Sequence, residues 1–404
     1  MELYGIQLHI IPYICSMITR TSEKRLIQLY KTFKVLAVTG PRQSGKTTLV
    51  KKVFPDKPYV NLESPDIRRF SVDDPRGFLS QYPEGAVLDE VQRNPDLFSY
   101  LQEIVDNSSQ KGQFVLTGSN NFLLNERISQ SLAGRVAYLN LLPFSLKEIK
   151  GNYPIKTENE HILQGFYPPV YDQNLPYEEW IPNYIRTYIE RDVRQIKNIS
   201  DLLVFERFMR LLAGRTGQEL NYTSLSVEVG VDVKTIQSWV GILESSYIIF
   251  LLKPYYKNFN KTVVKRPKLY FYDSAIVCSL LQIKKPEHIV THPLRGALFE
   301  CLVMSEVIKH QVNEQNDIQV YYWRDKTGRE IDIIIETPLE TIPIEIKAGK
   351  TVQQEFFKNV KYWMKLSGSS KGKVIYAGET EQKRSDGTEV FSWKHIHEKL
   401  DVIG

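Results

Sequence analysis

A chain of 404 residues is too long for a single hydrophobic core and predicts two to four domains. Hydrophobic residues make up 42% and charged residues 25%, the proportions of ordinary soluble globular protein, and a net charge of +5 permits a nucleic-acid partner without demanding one. Cys15, Cys278 and Cys301 are scattered and odd in number with no C-x-x-C pair, which argues against a zinc site and predicts reduced thiols in a cytosolic protein.

Met1 to Ser16 is apolar, yet it lacks a basic leading region and is too short to span a bilayer. Neither a signal peptide nor a membrane helix is expected, and no membrane partner. Met17-Ile18-Thr19-Arg20 ahead of an amphipathic run reads as a natural start, so residues 1–20 are set apart as an N-terminal extension. Apolar residues then recur at helical spacing from Arg25 to Phe33 and lead into Val35–Thr39, a buried strand.

Directly after that strand comes Gly40-Pro41-Arg42-Gln43-Ser44-Gly45-Lys46-Thr47-Thr48, the pattern G-x-x-x-x-G-K-[ST] between a strand and a helix. Glycine at both ends lets the backbone curl its N–H groups toward an anion at a helix N-terminus. Lys46 is expected to reach the β- and γ-phosphates of ATP, and the Thr47 hydroxyl to bind Mg²⁺. Pro58–Leu62 reads as a second strand and Gly85-Ala86-Val87-Leu88-Asp89-Glu90 as a third. Its terminal acids suit a magnesium-nucleotide crevice, with Asp89 holding the metal and Glu90 orienting and deprotonating water. The other reading of the pair is a helix N-terminus, where acids help the dipole.

Gln113–Thr117 is a fourth strand, ending at Gly118-Ser119-Asn120, where Ser119 or Asn120 could contact the γ-phosphate or the attacking water. Arg135 precedes a fifth strand, Val136–Leu141; it is either the cation that stabilises charge on the transferring phosphoryl group or the partner of a structural carboxylate.

The combination GPRQSGKTTL, Val-Leu-Asp-Glu-Val-Gln, Leu-Thr-Gly-Ser and Leu-Ala-Gly-Arg followed by Leu-Leu-Pro-Phe-Ser resembles a family of prokaryotic AAA-superfamily ATPases with a C-terminal domain of unknown function. The resemblance covers nearly the whole chain from Met17. It implies an α/β fold of the P-loop ASCE/AAA type over residues 21–150, with the strand ending at Ser119 lying between those before Gly40 and Asp89. That order would bring Lys46, Asp89, Glu90 and Ser119 together.

Residues 151–200 read as a helical linker or lid, loose through Pro176 and helical from Trp180, with Arg191 or Arg194 either reaching a neighbouring subunit's nucleotide or lying on a solvated face. Residues 201–285 read as a winged helix-turn-helix-like domain. Gly230-Val231-Asp232 separates two helices, Leu225, Val229, Val231, Ile236, Val240 and Leu243 form the expected core, and Lys234, Thr235, Gln237 and Ser238 are expected outside. Lys253, Lys257, Lys261, Lys265, Arg266 and Lys268 could line a wing along a DNA backbone; a plain packing module is the other reading.

Residues 286–404 carry Glu300 on an amphipathic helix, Asp332 inside an apolar strand, and Glu345 and Lys347 two apart on one strand face. Acids in strands are unfavourable without a metal or a partner. The pattern is similar to the restriction-endonuclease-like, or PD-(D/E)XK, superfamily, although no proline precedes Asp332. That resemblance implies Mg²⁺ held by the acids and Lys347 steadying the nucleophile or the transition state. His288 with His292, and His395 with His397, are expected to be solvated surface pairs. Two functional readings stand: an ATPase driving a DNA-facing helix-turn-helix and nuclease-like module, or an ATP-dependent protein-interaction switch whose nuclease-like domain is inert. A homo-oligomer is possible by analogy.

Overall fold

The computed structural model describes residues 18–118, 131–188, 201–256, 265–314 and 319–401. Strands β1 (Val35–Thr39), β2 (Tyr59–Asn61), β3 (Val87–Asp89), β4 (Phe114–Gly118) and β5 (Val136–Asn140) form a parallel sheet of order β2-β3-β4-β1-β5. β4 therefore lies between β1 and β3, as the ATPase resemblance implied. β1 is buried along its whole length because helices cover both sheet faces. With side chains alternating, Val35 and Ala37 pack with Leu97, Phe98 and Leu101, while Leu36 and Val38 meet Leu26, Leu29, Leu49 and Val50.

The segment 151–176 is more regular than its prolines suggested. Helix Glu158–Gln164 starts at a Thr157/Glu160 capping box, and Pro168 and Pro169 open helix Pro168–Asp172. Proline fits a first helical turn, where its missing N–H has no intrahelical partner to lose. Ile162, Leu163, Phe166, Tyr167 and Val170 are buried in a core that continues into the C-terminal sheet.

Helices Leu202–Ala213, Tyr222–Val229 and Val233–Ser245 follow, then β6 (Ile249–Leu252) and β7 (Lys268–Phe271), an antiparallel pair with Leu252 opposite Lys268. Leu225, Val229, Ile236, Val240 and Leu243 are buried as expected, and Val231 is half-buried. The C-terminal sheet has the order β12-β13-β11-β10-β9-β8, from β8 (Gln319–Arg324), β9 (Glu330–Glu336), β10 (Thr341–Lys347), β11 (Gly372–Tyr376), β12 (Gln382–Lys383) and β13 (Thr388–Ser392). β8, β9 and β10 meander antiparallel, and β10, β11 and β13 run parallel. Ile333, Ile335 and Ile344 share a core with Leu298, Leu302 and Val303 of helix Arg295–Glu314, while Ile331 and Ile334 pack on Trp363 of helix Lys358–Ser367. Among the described residues, no helix is long and apolar enough to cross a membrane.

Candidate functional site

The phosphate loop takes its shape from two glycines and from a distant arginine. Gly40 has φ 147°, and a Cβ there would lie 2.1 Å from the Leu141 carbonyl oxygen; Gly45 has φ 90° and caps helix Lys46–Val53. Arg20 is buried alongside. Its guanidinium donates to the Ser44 carbonyl at 2.9 Å, the Leu142 carbonyl at 2.6 Å and Glu148 at 3.0 Å, and it sits 4.8 Å from the Phe144 ring centroid. Glu148 in turn closes a capping box with Ser145. The Leu-Leu-Pro-Phe-Ser motif thus clamps the loop from outside, through a residue more than a hundred positions away in sequence.

Lys46 bends back to donate to the carbonyls of Gly40 and Pro41, at 2.9 and 2.7 Å. Thr47 donates to Asp89 Oδ2 at 3.0 Å, and Asp89 also accepts from Tyr59 and Thr117. A threonine hydroxyl and a buried carboxylate so joined are the oxygen donors a small, hard Mg²⁺ takes, so the residues present fit the ion. Glu90 stands at φ 56°, outside the strand, and accepts from Gln92 at 2.5 Å. Burial raises its pKa, with Lys46 and Arg42 pulling the other way. A cavity of about 320 Å³ is lined by Arg42, Lys46, Thr47, Glu90 and, from helix Tyr177–Tyr188, Tyr184 and Tyr188. Neither tyrosine was singled out for this site from sequence, because nothing local links 184–188 to residue 46. Asp89's partners Tyr59 and Thr117 were likewise missed, although Thr117 lies within the Leu-Thr-Gly-Ser motif.

Ser119, Asn120, Arg191 and Arg194 lie outside the described residues. Arg135 is brought elsewhere. Its carbonyl pairs with the Val35 amide at the opposite end of β1 from Gly40, on the order of 15 Å away at about 3.3 Å per residue, and its side chain pairs with Asp106, Nη2 to Oδ2 at 2.9 Å. Within one chain Arg135 pairs with a carboxylate and does not reach the phosphate loop.

The four residues of the nuclease-like pattern do converge. Lys347 donates to Glu345 Oε1 at 2.6 Å, and Asp332 accepts the Ile346 amide at 2.8 Å. Burial, then Glu345 and Glu300, push Asp332 well above the usual carboxylate range, partly offset by Lys268. Glu345 is raised by burial and eased by Lys347. Its Oε2 is buried with no hydrogen-bond partner, an orphan atom that fits a cation. One expected wing residue is displaced: Lys268 is not on the surface but paired with Glu300, at 3.2 Å, and with Glu330. Burial alone would lower its pKa, yet Glu300, Asp332 and Glu330 raise it. Tyr270, two residues on, donates to Glu300 at 2.5 Å. The alternation of β7 could have announced Lys268, since it shares a face with Tyr270.

Elsewhere, Lys234 and Gln237 are exposed, whereas Thr235 turns onto its helix cap Asp232 and Ser238 is half-buried. Lys253, Lys265 and Arg266 are exposed; Lys257 and Lys261 lie outside the described residues. His397 is not a solvated histidine. It is buried against Glu306, at 2.8 Å, and His310, at 3.3 Å, because helix Ile396–Leu400 packs on helix Arg295–Glu314.

Sheet order and phosphate loop together are those of a P-loop nucleotide-binding domain. Residues 32–150 match the family described as an AAA domain, and residues 155–287 and 295–396 match two domains of unknown function, DUF8612 and DUF4143. An uncharacterized protein of Mycobacterium tuberculosis is 28% identical over 341 residues, covering 83% of this chain and 76% of its own. Another, of Methanocaldococcus jannaschii, is 24% identical over 409 residues, covering 87% and 81%. Among solved structures, the Walker-type ATPase of Pyrococcus abyssi aligns with TM-score 0.42 at 12% identity, covering 64% of this chain and 94% of that one. The Aeropyrum pernix ORC2 protein aligns with TM-score 0.34 at 14% identity, covering 65% and 91%.

Proposed function

We propose that this chain is a magnesium-dependent ATPase whose nucleotide state is passed to a DNA-facing winged helix-turn-helix and a nuclease-like module. The observation that carries the reading is the meeting of Lys46, Thr47, Asp89 and Glu90 at the C-terminal ends of β1 and β3. Lys46 exchanges its loop carbonyls for phosphate oxygens. Thr47 and Asp89 hold Mg²⁺, which when bound neutralises charge on the phosphates. Glu90 takes the proton of the attacking water, and its raised pKa makes it a stronger base than an ordinary carboxylate. Ser119 or Asn120 is the proposed contact to the γ-phosphate or that water, and in a homo-oligomer Arg191 or Arg194 reaches the neighbouring nucleotide.

Coupling has a physical route. The Tyr247 hydroxyl, just beyond helix Val233–Ser245, lies 3.0 Å from Thr39 Oγ1 and 2.9 Å from Asn140 Oδ1. Thr39 immediately precedes Gly40, so movement of the loop is felt at the base of that helix. Lys234, Gln237, Lys253, Lys265 and Arg266 are the cations and donors offered to DNA. The test is ATP turnover with and without several DNA forms: stimulation and a gel shift are expected. Equal rates and no shift would favour the second reading, an ATP-dependent protein-interaction switch with an inert nuclease-like domain. That reading draws support from Lys268 among the acids. Cleavage of plasmid or branched DNA in Mg²⁺ or Mn²⁺, lost on Asp332→Ala or Lys347→Ala, would decide for the nuclease.

A further inference from the structure

We propose that Lys268 of the hairpin is the resident cation of the acidic centre, so that a divalent metal enters only by displacing it. This rests on reading Glu300, Asp332 and Glu345 as metal-holding acids. Four carboxylates on β9, β10 and helix Arg295–Glu314, those of Glu300, Glu330, Asp332 and Glu345, lie within electrostatic reach of one another, and Glu300 and Glu330 both contact Lys268. Two ammonium groups answer them. Lys347 belongs to the centre's own strand and covers Glu345 Oε1; Lys268 comes from β7, in a different part of the chain, and covers Glu300 and Glu330.

Its burial marks Lys268 as more than a surface ion pair. The side chain is 3% exposed, and four methylenes tether its charge to β7, which pairs with β6 and whose neighbours Lys265 and Arg266 are exposed. Taking an ammonium out of water costs several kcal/mol or more unless carboxylates surround it, and here Glu300 and Glu330 hold Lys268 in place. Compensation is still incomplete, because the Glu345 side chain is 6% exposed and its Oε2 has no hydrogen-bond partner. A divalent ion brings two charges and room for six oxygen ligands, which one ammonium cannot match. The two cations compete for the same carboxylates, and a swing of the Lys268 side chain off Glu300 and Glu330 is the opening move. The nuclease-like centre is therefore composite: its metal occupancy is set by a side chain of β7.

The test is Mn²⁺ binding to the full-length, nucleotide-free chain, followed by electron paramagnetic resonance. Lys268→Met is expected to bind Mn²⁺ at least about ten-fold more tightly than the wild type, Lys268→Arg to match the wild type, and Glu345→Gln added to Lys268→Met to remove the gain. Equal binding by wild type and Lys268→Met would overturn the competition while leaving the metal-holding reading intact. Absence of any Glu345-dependent binding in both would overturn that reading and the proposal with it. Should Lys268→Met not fold, the reactivity of the Lys268 amine in the wild type decides. Its reductive methylation is expected to run several-fold faster under saturating Mn²⁺, and not in Glu345→Gln; an unchanged rate in the wild type would sink the proposal.

Discussion

The nucleotide site and the acidic centre use the same raw materials, carboxylates at strand positions and a lysine within reach, and dispose of them in opposite ways. Asp89 is satisfied by three hydroxyls, from Thr47, Tyr59 and Thr117, while Lys46 rests on the carbonyls of its own loop. Hydroxyls can rotate away and carbonyls can be exchanged for phosphate oxygens, so the site is ready for a ligand at small cost. In the acidic centre, Lys268 and Lys347 are charge-paired with the acids themselves. Ion pairs in a buried place are costly to break. One site is poised, and the other is closed by its own chain.

The largest effect that would sharpen this contrast is Lys46→Ala. Removing the lysine positioned to meet the β- and γ-phosphates as a point charge should abolish ATP binding in a calorimetric titration; retained affinity would break the assignment. Glu90→Gln should leave ATP bound but slow single-turnover hydrolysis by roughly 10²–10⁴-fold, the usual worth of a general base. Unchanged turnover would move the base elsewhere.

Arg20→Ala comes next. It strips a buried charge from Glu148 and frees the Ser44 and Leu142 carbonyls, and should cost about 3–5 kcal/mol in urea unfolding. Arg135→Ala, losing a solvent-facing pair with Asp106, should leave both the unfolding midpoint and single-chain turnover unchanged. If the two variants behaved alike, the clamp around the phosphate loop would be the wrong picture.

The smallest effect is a pH dependence outside both sites. Burial lowers His161 to about 4, and burial with the neighbouring His397 lowers His310 to about 4. Between about 6.5 and about 4 the unfolded chain binds protons that the native chain refuses, so stability falls as pH falls through that window, by at most about 3 kcal/mol per histidine. Glu306, held at about 2 against its burial by Lys309 and His397, extends the loss below about pH 4.5. Thermal unfolding from pH 7 to pH 4 should show the decline. In the double variant His161→Phe/His310→Phe it should flatten above pH 4.5.

Much of the fold was legible where one element speaks for itself. Val35–Thr39 has the boundaries its pattern predicts, and helices Tyr222–Val229 and Val233–Ser245 lie on either side of Gly230-Val231-Asp232 as expected, because burial on one or both faces imposes period and length together. Helix Pro168–Asp172 was hidden because prolines at a helix start look the same in sequence as prolines in a loop. Lys268 was misread as a wing residue because its neighbours Lys265 and Arg266 are indeed exposed, and only the strand's alternation separates them.

From sequence alone, the phosphate loop, the acids at the end of β3 and the pairing of Glu345 with Lys347 could be determined, since each is a contiguous run whose chemistry is set by spacing along one strand or turn. The tertiary structure decided which distant groups complete them: Arg20 behind the loop, Tyr59 and Thr117 on Asp89, Tyr247 under Thr39, and Lys268 among the acids. The reason is electrostatic and steric. A buried charge accepts whichever partner packing brings within about 3 Å, and sequence separation does not enter that energy.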